Sequence, residues 1–398
     1  EIEDRLVRDM NRCIHCLRCV RFCREVAGEE DFGAFHRGDR KDVGTYVEGP
    51  VANNYFGNLV DLCPVGALTS KDFRFRARVW DTLPVDSICP GCSTGCNVRL
   101  WVKDNQILRI TPRENGEVNG AWMCDLGRET YKVIDGEERL KSPIIREDGN
   151  YVPVDWDEAL QRVTGTLKSI MEDAGPEAIG GIGSRQATNE ALYLFNKYLF
   201  RVLGTPHLDL LGDGTKADSD DTEDGILLRS DRSPNYCGAL DMGIAPGAGG
   251  MSAREMIEAA SDGRIKALFI MGADPLDPSN RDAESTARAL EKVELLVVMD
   301  PLLTATARSA SVALPTLFFA ENEGTFTNYR ARVQKLSRAV RGSSGCLADW
   351  EVLRDLSAMM GVSTPYKGAK DIMEEISGEV PAYAGVSFTA LGDEGISI

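Results

Sequence analysis

The sequence predicts an α/β protein in which two small cysteine-rich modules precede a larger body built on a mostly parallel sheet. Nine of the eleven cysteines lie before residue 125, in two groups with short and regular spacings. After residue 150, apolar runs typical of buried strands alternate with stretches of helical periodicity. This alternation predicts a parallel sheet covered by helices on both faces. We therefore expect three domains, at residues 1–80, 81–142 and 143–398.

The composition restricts the classes of protein to which the chain can belong. Its 398 residues are 43% hydrophobic and 27% charged, as in globular proteins. The sequence contains no apolar run of about 18 residues, so we expect no transmembrane helix, and any membrane association should go through partners. A net charge of -17 argues against nucleic-acid binding. Residues 1–80 contain 13 basic and 13 acidic side chains, so the acidic excess lies in the remainder of the chain.

The first cysteine group has the spacing of bacterial ferredoxins. Cys13, Cys16 and Cys19 follow the pattern C-x2-C-x2-C, and Cys23 comes four positions after Cys19. In two-cluster ferredoxins the fourth cysteine of such a run ligates the other cluster, while a distant Cys-Pro completes the first. Cys63 precedes a proline, so we expect Cys13, Cys16, Cys19 and Cys63 to hold one [4Fe-4S] cluster. By the same logic Cys23 would point towards a second cluster whose other ligands the sequence does not show. Two alternatives stay open, in which Cys23 is the fourth ligand of the first cluster or a buried structural thiol.

The second group combines three close cysteines with one distant cysteine. Cys89, Cys92 and Cys96 are followed by Cys124 after an interval of 27 residues. The residues between them predict a β-hairpin with a four-residue turn, which would return the chain to its starting point. Zinc sites usually pair two C-x2-C halves, whereas three-plus-one spacing favours an iron–sulfur cube.

Two further features accompany the first group. Four arginines lie close to it in sequence, at positions 12, 18, 21 and 24. Positive charge near cluster sulfurs favours the reduced state and raises the reduction potential. Gly57-Asn58 predicts a turn that leads the chain back towards Cys63.

The body has clear helix and strand signals. We expect Asp155 or Asp157 to cap a helix that ends at Gly175, and Thr188 to cap a helix that runs to Leu203. Strands are predicted at residues 178–184, 207–211, 265–271 and 294–299.

Other features of the body do not form a recognisable site. The loops after the last two predicted strands, 272–275 and 299–307, lie where ligands of such sheets bind. Neither loop has a phosphate-binding fingerprint. The acidic segment 218–224 predicts a solvated loop. Cys237 and Cys346 stand alone and are expected to be buried or incidental thiols.

Six stretches of sequence carry a family resemblance. Residues 10–22, 57–71 and 73–78 are similar to the large iron–sulfur subunit of NADH–quinone oxidoreductase, respiratory complex I. Residues 139–160 and 314–328 resemble the wider molybdopterin oxidoreductase superfamily. The motif C-P-G-C-S-T-G-C with Cys124 resembles the N-terminal cluster motif of that superfamily. The family's [2Fe-2S] domain would precede Glu1, so the resemblance implies a sequence truncated at its N-terminus.

The resemblance implies an electron relay without a catalytic site of its own. NADH is oxidised at a flavin on a neighbouring subunit, and electrons pass through iron–sulfur clusters towards quinone. The implied partners are that flavin subunit and quinone-side iron–sulfur subunits, on the cytoplasmic face of the inner membrane. The 143–398 body would be a degenerate molybdopterin-oxidoreductase-like domain, for which we expect no molybdopterin. The implied ligands of two [4Fe-4S] clusters are Cys13, Cys16, Cys19 and Cys63 on the main route, and Cys89, Cys92, Cys96 and Cys124 off it.

The alternative is the catalytic α subunit of a molybdenum or tungsten bis-pterin oxidoreductase, such as NAD-linked formate dehydrogenase. Such an enzyme needs a metal ligand, usually cysteine or selenocysteine, just after the strand predicted at 207–211. The sequence there, L-G-D-G-T-K-A-D-S-D, contains neither, although some members of the superfamily use serine or aspartate. We therefore favour the relay. A zinc-bound scaffold is the weakest interpretation because ferredoxin spacing predicts iron.

Overall fold

The computed structural model describes residues 5–30, 32–46, 53–147, 149–211 and 223–398. The chain folds as two compact units, one formed by Glu1–Lys132 with Ala217–Ser230 and the other by Val133–Lys216 with Asp231–Ile398. Most of the acidic segment 218–224 lies outside the described residues. Among the residues that are described, we find no helix that is long and apolar enough to cross a membrane.

The first unit, hereafter unit 1, contains short strands and, among its described residues, three short α-helices. Two antiparallel strand pairs, β1 with β4 and β2 with β3, accompany a three-stranded antiparallel sheet of β5, β6 and β7. The elements in chain order are β1 Leu6–Arg8, α1 Arg18–Glu25, β2 Phe32–Phe35, β3 Asp42–Thr45, α2 Gly57–Leu62, β4 Leu68–Ser70, β5 Leu83–Ile88, β6 Asn97–Lys103, β7 Gln106–Pro112 and α3 Asp125–Glu129.

The predicted hairpin between Cys96 and Cys124 is confirmed, but the predicted four-residue turn is wrong. Strands β6 and β7 pair as far as Lys103 and Gln106, which leaves only two residues in the turn. These residues, Asp104 and Asn105, have φ angles of 50° and 60°. A two-residue turn with both φ angles positive matches the right-handed twist of the flanking strands, so the hairpin takes this tighter form.

The predicted turn at Gly57-Asn58 is also wrong, because these two residues begin helix α2. The Gly57 amide donates to the Asp125 carboxylate, with 2.8 Å between nitrogen and oxygen. The fully buried Asn58 side chain donates to the Tyr55 carbonyl at 2.9 Å. Tertiary contacts thus satisfy the first turn of the helix and override the local turn signal.

The second unit, unit 2, is an α/β body with one large sheet. A smaller antiparallel sheet of β15, β16 and β17 completes it. The elements in chain order are β8 Ile144–Glu147, β9 Asn150–Pro153, α4 Trp156–Ala174, β10 Ile179–Gly183, α5 Asn189–Asn196, β11 Leu208–Leu210, α6 Tyr236–Asp241, α7 Ala253–Ser261, β12 Ala267–Met271, α8 Ala283–Leu290, β13 Leu295–Asp300, α9 Ala305–Ser309, β14 Val312–Pro315, β15 Gly324–Thr327, β16 Arg332–Leu336, α10 Asp349–Met359, α11 Ala369–Glu379 and β17 Ile396–Ser397.

The prediction of a mostly parallel sheet covered on both faces is confirmed. The seven strands lie in the order β11-β10-β12-β13-β14-β8-β9, and the five from β11 to β14 are parallel. Alternate residues of β12 face opposite cores, with Phe269 and Met271 in one and Leu268 and Ile270 in the other. Burial of both faces explains why these strands are continuous apolar runs in the sequence.

The helix boundaries of unit 2 largely follow the sequence signals. Asp155 caps α4, since its carboxylate accepts from the Glu158 amide at 2.8 Å, and Thr188 caps α5. The helix that starts at Thr188 does reach Leu203 but changes character on the way. A π-helical segment, Lys197–Leu203, follows α5 and ends at Gly204 with a φ of 77°.

Asp300, at the end of β13, gives unit 2 a predictable pH dependence. Burial raises the pKa of Asp300 from its ordinary value of 3.8 to about 7, and the negative charges of Asp274 and Asp349 add to the rise. Between these two values the folded chain keeps a proton that the unfolded chain releases, so native stability falls as pH rises. We expect Asp300→Asn to increase the free energy of unfolding at pH 8 by about 1 kcal/mol or more. The gain should shrink towards pH 4, as measured by urea titration of unit 2 fluorescence.

Candidate metal centres

The four cysteines of the second group are buried together in unit 1. Cys89, Cys92, Cys96 and Cys124 are each 4–5% exposed. A β-carbon placed on Gly127 would lie 2.8 Å from the Cys89 sulfur and 3.6 Å from the Cys124 sulfur. The two sulfurs are therefore no farther apart than the sum of these distances. The distant cysteine and the first cysteine of the close group meet at one place.

Two elements of structure bring these cysteines together. The Cys89 amide donates to the Cys96 carbonyl at 2.8 Å, which closes the loop between β5 and β6. Cys124 is the N-cap residue of α3, and its sulfur accepts from the Gly127 amide at 3.4 Å. The Cys89 sulfur likewise accepts from the Gly91 amide at 3.4 Å. Backbone donors thus already point at two of the four sulfurs.

Asn119 anchors the return of the chain towards Cys124. Its side-chain oxygen accepts from the Asn97 amide at 2.9 Å, and its side-chain nitrogen donates to the Trp122 carbonyl at 2.9 Å. One buried amide therefore connects the residue after Cys96 with a residue two positions before Cys124. The role of Asn119 was not apparent from the sequence, because nothing local distinguishes it from an ordinary loop asparagine.

The buried four-cysteine group has the electrostatic properties of a metal-binding site. Burial raises the pKa of the Cys89 and Cys96 thiols well above the ordinary value, and the neighbouring sulfurs of the group add to the rise. Four thiolates in an apolar site are unfavourable unless a metal coordinates them. Among the described residues, no three His, Cys, Asp or Glu side chains converge on a single metal ion.

The first group lies on a loop with an unusual backbone. His15 and Leu17, on either side of Cys16, have φ angles of 53° and 59°. This left-handed conformation costs roughly 1–2 kcal/mol per non-glycine residue. The His15 amide donates to the Cys13 sulfur at 3.4 Å. Nothing in the sequence indicated these two conformations, which turn the chain sharply between successive cysteines.

Three of the predicted ligands of the first cluster are electrostatic neighbours. Burial raises the pKa of the Cys19 thiol to about 11, and the nearby Cys16 and Cys13 sulfurs add to the rise. Cys16 is exposed, whereas Cys13 and Cys19 are half-buried. The loop and the first turn of α1 therefore bring these three sulfurs near one another at the surface of unit 1.

Cys63 reaches the same region through a strand pair. It is the C-cap residue of α2, and its sulfur accepts from the Ala67 amide at 3.2 Å. The Ala67 carbonyl in turn accepts from the Asp9 amide at 2.8 Å. Asp9 directly follows β1, which pairs with β4, and the loop that bears Cys13 begins here. These contacts hold Cys63 at the base of the cysteine loop.

Cys23 is separated from this surface group by burial. It lies one turn beyond Cys19 on α1 and is 1% exposed, inside the apolar cluster that also contains Phe22 and Leu59. Burial raises the pKa of the Cys23 thiol to about 12, and the Cys19 sulfur adds to the rise.

Asn58 joins the two cysteine groups. Its side chain donates to the Met123 carbonyl at 2.9 Å and accepts from the Met123 amide at 3.3 Å. Met123 directly precedes Cys124, and the helix that Asn58 begins leads to Cys63. Arg128 donates to the same Asn58 oxygen at 2.9 Å. The sequence signal at Asn58 indicated only a turn, and this connection was missed.

Tyr55 forms hydrogen bonds with residues 224–228, a segment distant in sequence that also contacts the second cysteine group. Its hydroxyl donates to Asp224 at 2.6 Å and accepts from the amides of Leu227 and Leu228 at 3.0 Å each. The Thr94 hydroxyl, in the loop between Cys92 and Cys96, donates to the Leu227 carbonyl.

Tyr55→Phe should loosen this segment. The change leaves two amides without their acceptor, at a cost of roughly 1–3 kcal/mol for each buried unsatisfied donor. We expect the hydrogen exchange of the Leu227 and Leu228 amides to accelerate by about tenfold or more. Unchanged exchange would contradict the assignment of Tyr55 as their acceptor. Tyr151→Phe, in unit 2, is the matched control.

The two loops of unit 2 that lie where ligands of such sheets bind, 272–275 and 299–307, are hydrogen-bonded to each other. The Asp274 carboxylate accepts from the Thr306 amide at 3.0 Å and from the Thr306 hydroxyl. Asp300 accepts from the Leu302 amide at 2.8 Å. Of the lone cysteines, Cys346 is buried and Cys237 is half-buried. The segment in which a molybdenum ligand would be sought, 212–222, lies outside the described residues.

Three protein-family models match successive parts of the chain, and the first two of these parts contain the two cysteine groups. Residues 4–69 match the NADH-quinone oxidoreductase subunit 3 ferredoxin-like domain, and residues 84–136 match the molybdopterin oxidoreductase Fe4S4 domain. The molybdopterin oxidoreductase family matches residues 139–237 and 231–359. Both matched modules in the first part of the chain are iron–sulfur domains.

Similar proteins include respiratory subunits and other oxidoreductase subunits. The 75 kDa subunit of NADH-ubiquinone oxidoreductase from Reclinomonas americana is 38% identical over 57% of this chain and 32% of its own length. An NADH-quinone oxidoreductase subunit from Rhizobium meliloti is 26% identical, over 98% of this chain and 67% of its own. The NADPH-Fe(3+) oxidoreductase subunit alpha of Geobacter sulfurreducens is 23% identical, over 96% and 68%. This chain thus spans between 32% and 68% of the length of these relatives.

A solved structure supports the fold. Acetylene hydratase from Pelobacter acetylenicus superposes with a TM-score of 0.59 at 12% identity, covering 78% of this chain and 73% of that protein. At this identity the likeness concerns the fold alone. The family match extends over more than half of the chain, and the two iron–sulfur modules precede it in order. The chain belongs to the molybdopterin oxidoreductase family.

Proposed function

We propose that this chain is an electron-relay subunit of an NADH:quinone oxidoreductase and holds two [4Fe-4S] clusters. The observation that carries the proposal is the buried group of four cysteines with backbone donors already directed at two of its sulfurs. Relatives named as subunits of NADH-quinone oxidoreductase, and the match to its ferredoxin-like domain, support the assignment of the relay.

The proposed ligands form two sets. An iron–sulfur cluster, when bound, accepts and releases electrons at a potential that its surroundings set. The chain's own residues supply thiolates, exclude water from the second set and donate backbone hydrogen bonds to sulfur, which raises the potential. The first set is Cys13, Cys16, Cys19 and Cys63, and the second is Cys89, Cys92, Cys96 and Cys124.

We divide the chain into three domains, at residues 1–80, 81–142 and 143–398. The first domain would hold the first set of ligands, and the second domain would hold the second set. The last would support the cluster modules without a catalytic site and without molybdopterin. Hydrogen bonds between the two ligand loops of unit 2 are consistent with a structural role, because Asp274 and Thr306 already satisfy each other. The proposed partners are a flavin subunit that oxidises NADH and quinone-side iron–sulfur subunits, at the cytoplasmic face of the inner membrane.

Metal analysis with EPR tests the proposal directly. Protein purified anaerobically should contain about eight irons per chain and, when reduced, give two [4Fe-4S] signals. Molybdenum or tungsten near one equivalent would instead favour the catalytic alternative, a formate-dehydrogenase-like α subunit. Zinc in place of iron would overturn both.

A further inference from the structure

An exposed apolar segment connects the two cysteine modules of unit 1. Between β4 and the start of β5, Phe75 is 90% exposed, Trp80 is 80% exposed and Leu83 is 68% exposed. Val79 adds a fourth exposed apolar side chain, at 43%. Single exposed apolar residues are ordinary, but four within nine residues are characteristic of an interaction surface.

The backbone holds this segment in a defined conformation. Phe75 has a φ of 67°, which is an unfavourable angle for a bulky residue. It lies in a series of turns, and the Arg74 amide just before it donates to the Ser70 carbonyl at 2.9 Å. Phe73, two positions earlier, lies against unit 1 with the Arg109 guanidinium 4.3 Å from its ring centre. A strained residue persists only where surrounding structure fixes it. The Phe75 ring is therefore displayed to solvent by an ordered loop.

Arginines surround the exposed rings. The Arg74 guanidinium lies 4.7 Å from the Phe75 ring centre, and that of Arg78 lies 5.9 Å from the Trp80 ring centre. Residues 71–83 contain four basic and two acidic side chains, in a chain whose net charge is -17. Tryptophan and arginine are the residues that most often dominate binding energy at protein interfaces. The basic charge of this segment complements an acidic protein surface.

The segment adjoins the first cysteine group. It begins directly after β4, and Ala67, just before that strand, donates to the Cys63 sulfur. We propose that residues 71–84 are the docking surface for a redox protein subunit whose contact face carries acidic side chains around an apolar recess. This inference rests on the proposed relay function, since electrons must enter or leave the first cluster through another protein. Docking here brings that protein to the Cys63 side of the cluster.

A photo-crosslinker at Trp80 tests the identity of the occupant. The chain with p-benzoylphenylalanine at position 80 is expressed in its host, the assembled complex is irradiated, and cross-linked peptides are sequenced. We expect a peptide rich in Asp and Glu from a different subunit that binds flavin or an iron–sulfur cluster. The control carries the crosslinker at Tyr151, which is 45% exposed in unit 2. Cross-links to lipid only, to a second copy of this chain, or no more than at Tyr151 would overturn the proposal.

Charge reversal tests the chemistry of the surface. The Arg76→Glu/Arg78→Glu variant should be lost from the complex during gel filtration at about 0.15 M salt, where the wild type is retained. The control is Arg254→Glu/Lys370→Glu, which changes the same number of charges on exposed helices of unit 2. Trp80→Ser, which leaves the charges intact, should weaken retention as well. Wild-type retention of both surface variants would disprove docking at this segment.

Iron content separates this inference from the relay itself. Variants that lose the partner but keep about eight irons and both EPR signals support docking and leave the relay proposal intact. Wild-type protein without iron would remove the relay proposal, whatever the crosslinker shows. A surface variant that also loses iron would show that the segment supports the cluster fold, and would count against a separate docking role.

Discussion

Cys63→Ser is expected to abolish the EPR signal of one [4Fe-4S] cluster and to lower the iron content from about eight to about four per chain. The reason is geometric. Cys63 is the only proposed ligand of the first cluster outside the cysteine loop, and it is held at the base of that loop by Ala67 and Asp9. Serine keeps the size of the side chain and the hydrogen bond from Ala67 but replaces thiolate with a harder and much less acidic ligand.

The matched change is Cys23→Ser, and it should leave both signals in place. Cys23 is 1% exposed within an apolar cluster, whereas Cys19, one turn earlier, is half-buried beside Cys13 and Cys16. A buried hydroxyl costs about 1–3 kcal/mol unless it finds a partner, so this variant should lose stability while it keeps its iron. The reverse pattern, with Cys23 essential and Cys63 dispensable, would move the fourth ligand onto α1. Cys346→Ser is the control for general effects of the substitution, because Cys346 is also a buried thiol but lies in unit 2.

The sequence predicted those features that depend on local pattern. The two cysteine groups could be recognised because three cysteines of each group lie within eight residues of one another. The parallel sheet could be recognised because strands buried on both faces are apolar throughout. The caps at Asp155 and Thr188 also follow local rules, since each side chain accepts from an amide three residues later.

The missed features depend on contacts between residues distant in sequence. Helix α2 begins at Gly57 and Asn58 because residues more than 60 positions later accept their hydrogen bonds. The Asp125 carboxylate accepts from the Gly57 amide, and the Met123 carbonyl accepts from the Asn58 side chain. Tyr55 finds its partners 169–173 positions away. The left-handed angles of His15 and Leu17 are uncommon for non-glycine residues, so the local sequence does not predict them. In each case tertiary structure outweighs a weak local preference.

Gly127→Ala is expected to remove the second cluster while the first survives. A β-carbon at this position would lie 2.8 Å from the Cys89 sulfur, closer than such atoms can approach, and 3.6 Å from that of Cys124. Gly127 lies in helix α3 and lacks a positive φ, so alanine fits its backbone. Alanine favours a helix over glycine by about 1 kcal/mol, so weakening of the helix cannot explain a loss of iron. Steric displacement of the Cys89 sulfur remains as the cause.

The expected readout is about four irons per chain, loss of one EPR signal, and no change in the signal that Cys63→Ser removes. Gly165→Ala is the matched control, because it lies in helix α4 and a β-carbon there meets no atom within 4 Å. That variant should keep all its iron and gain slightly in stability. Full iron and an unaltered spectrum in Gly127→Ala would mean that Cys89 does not ligate a cluster from its position in this structure.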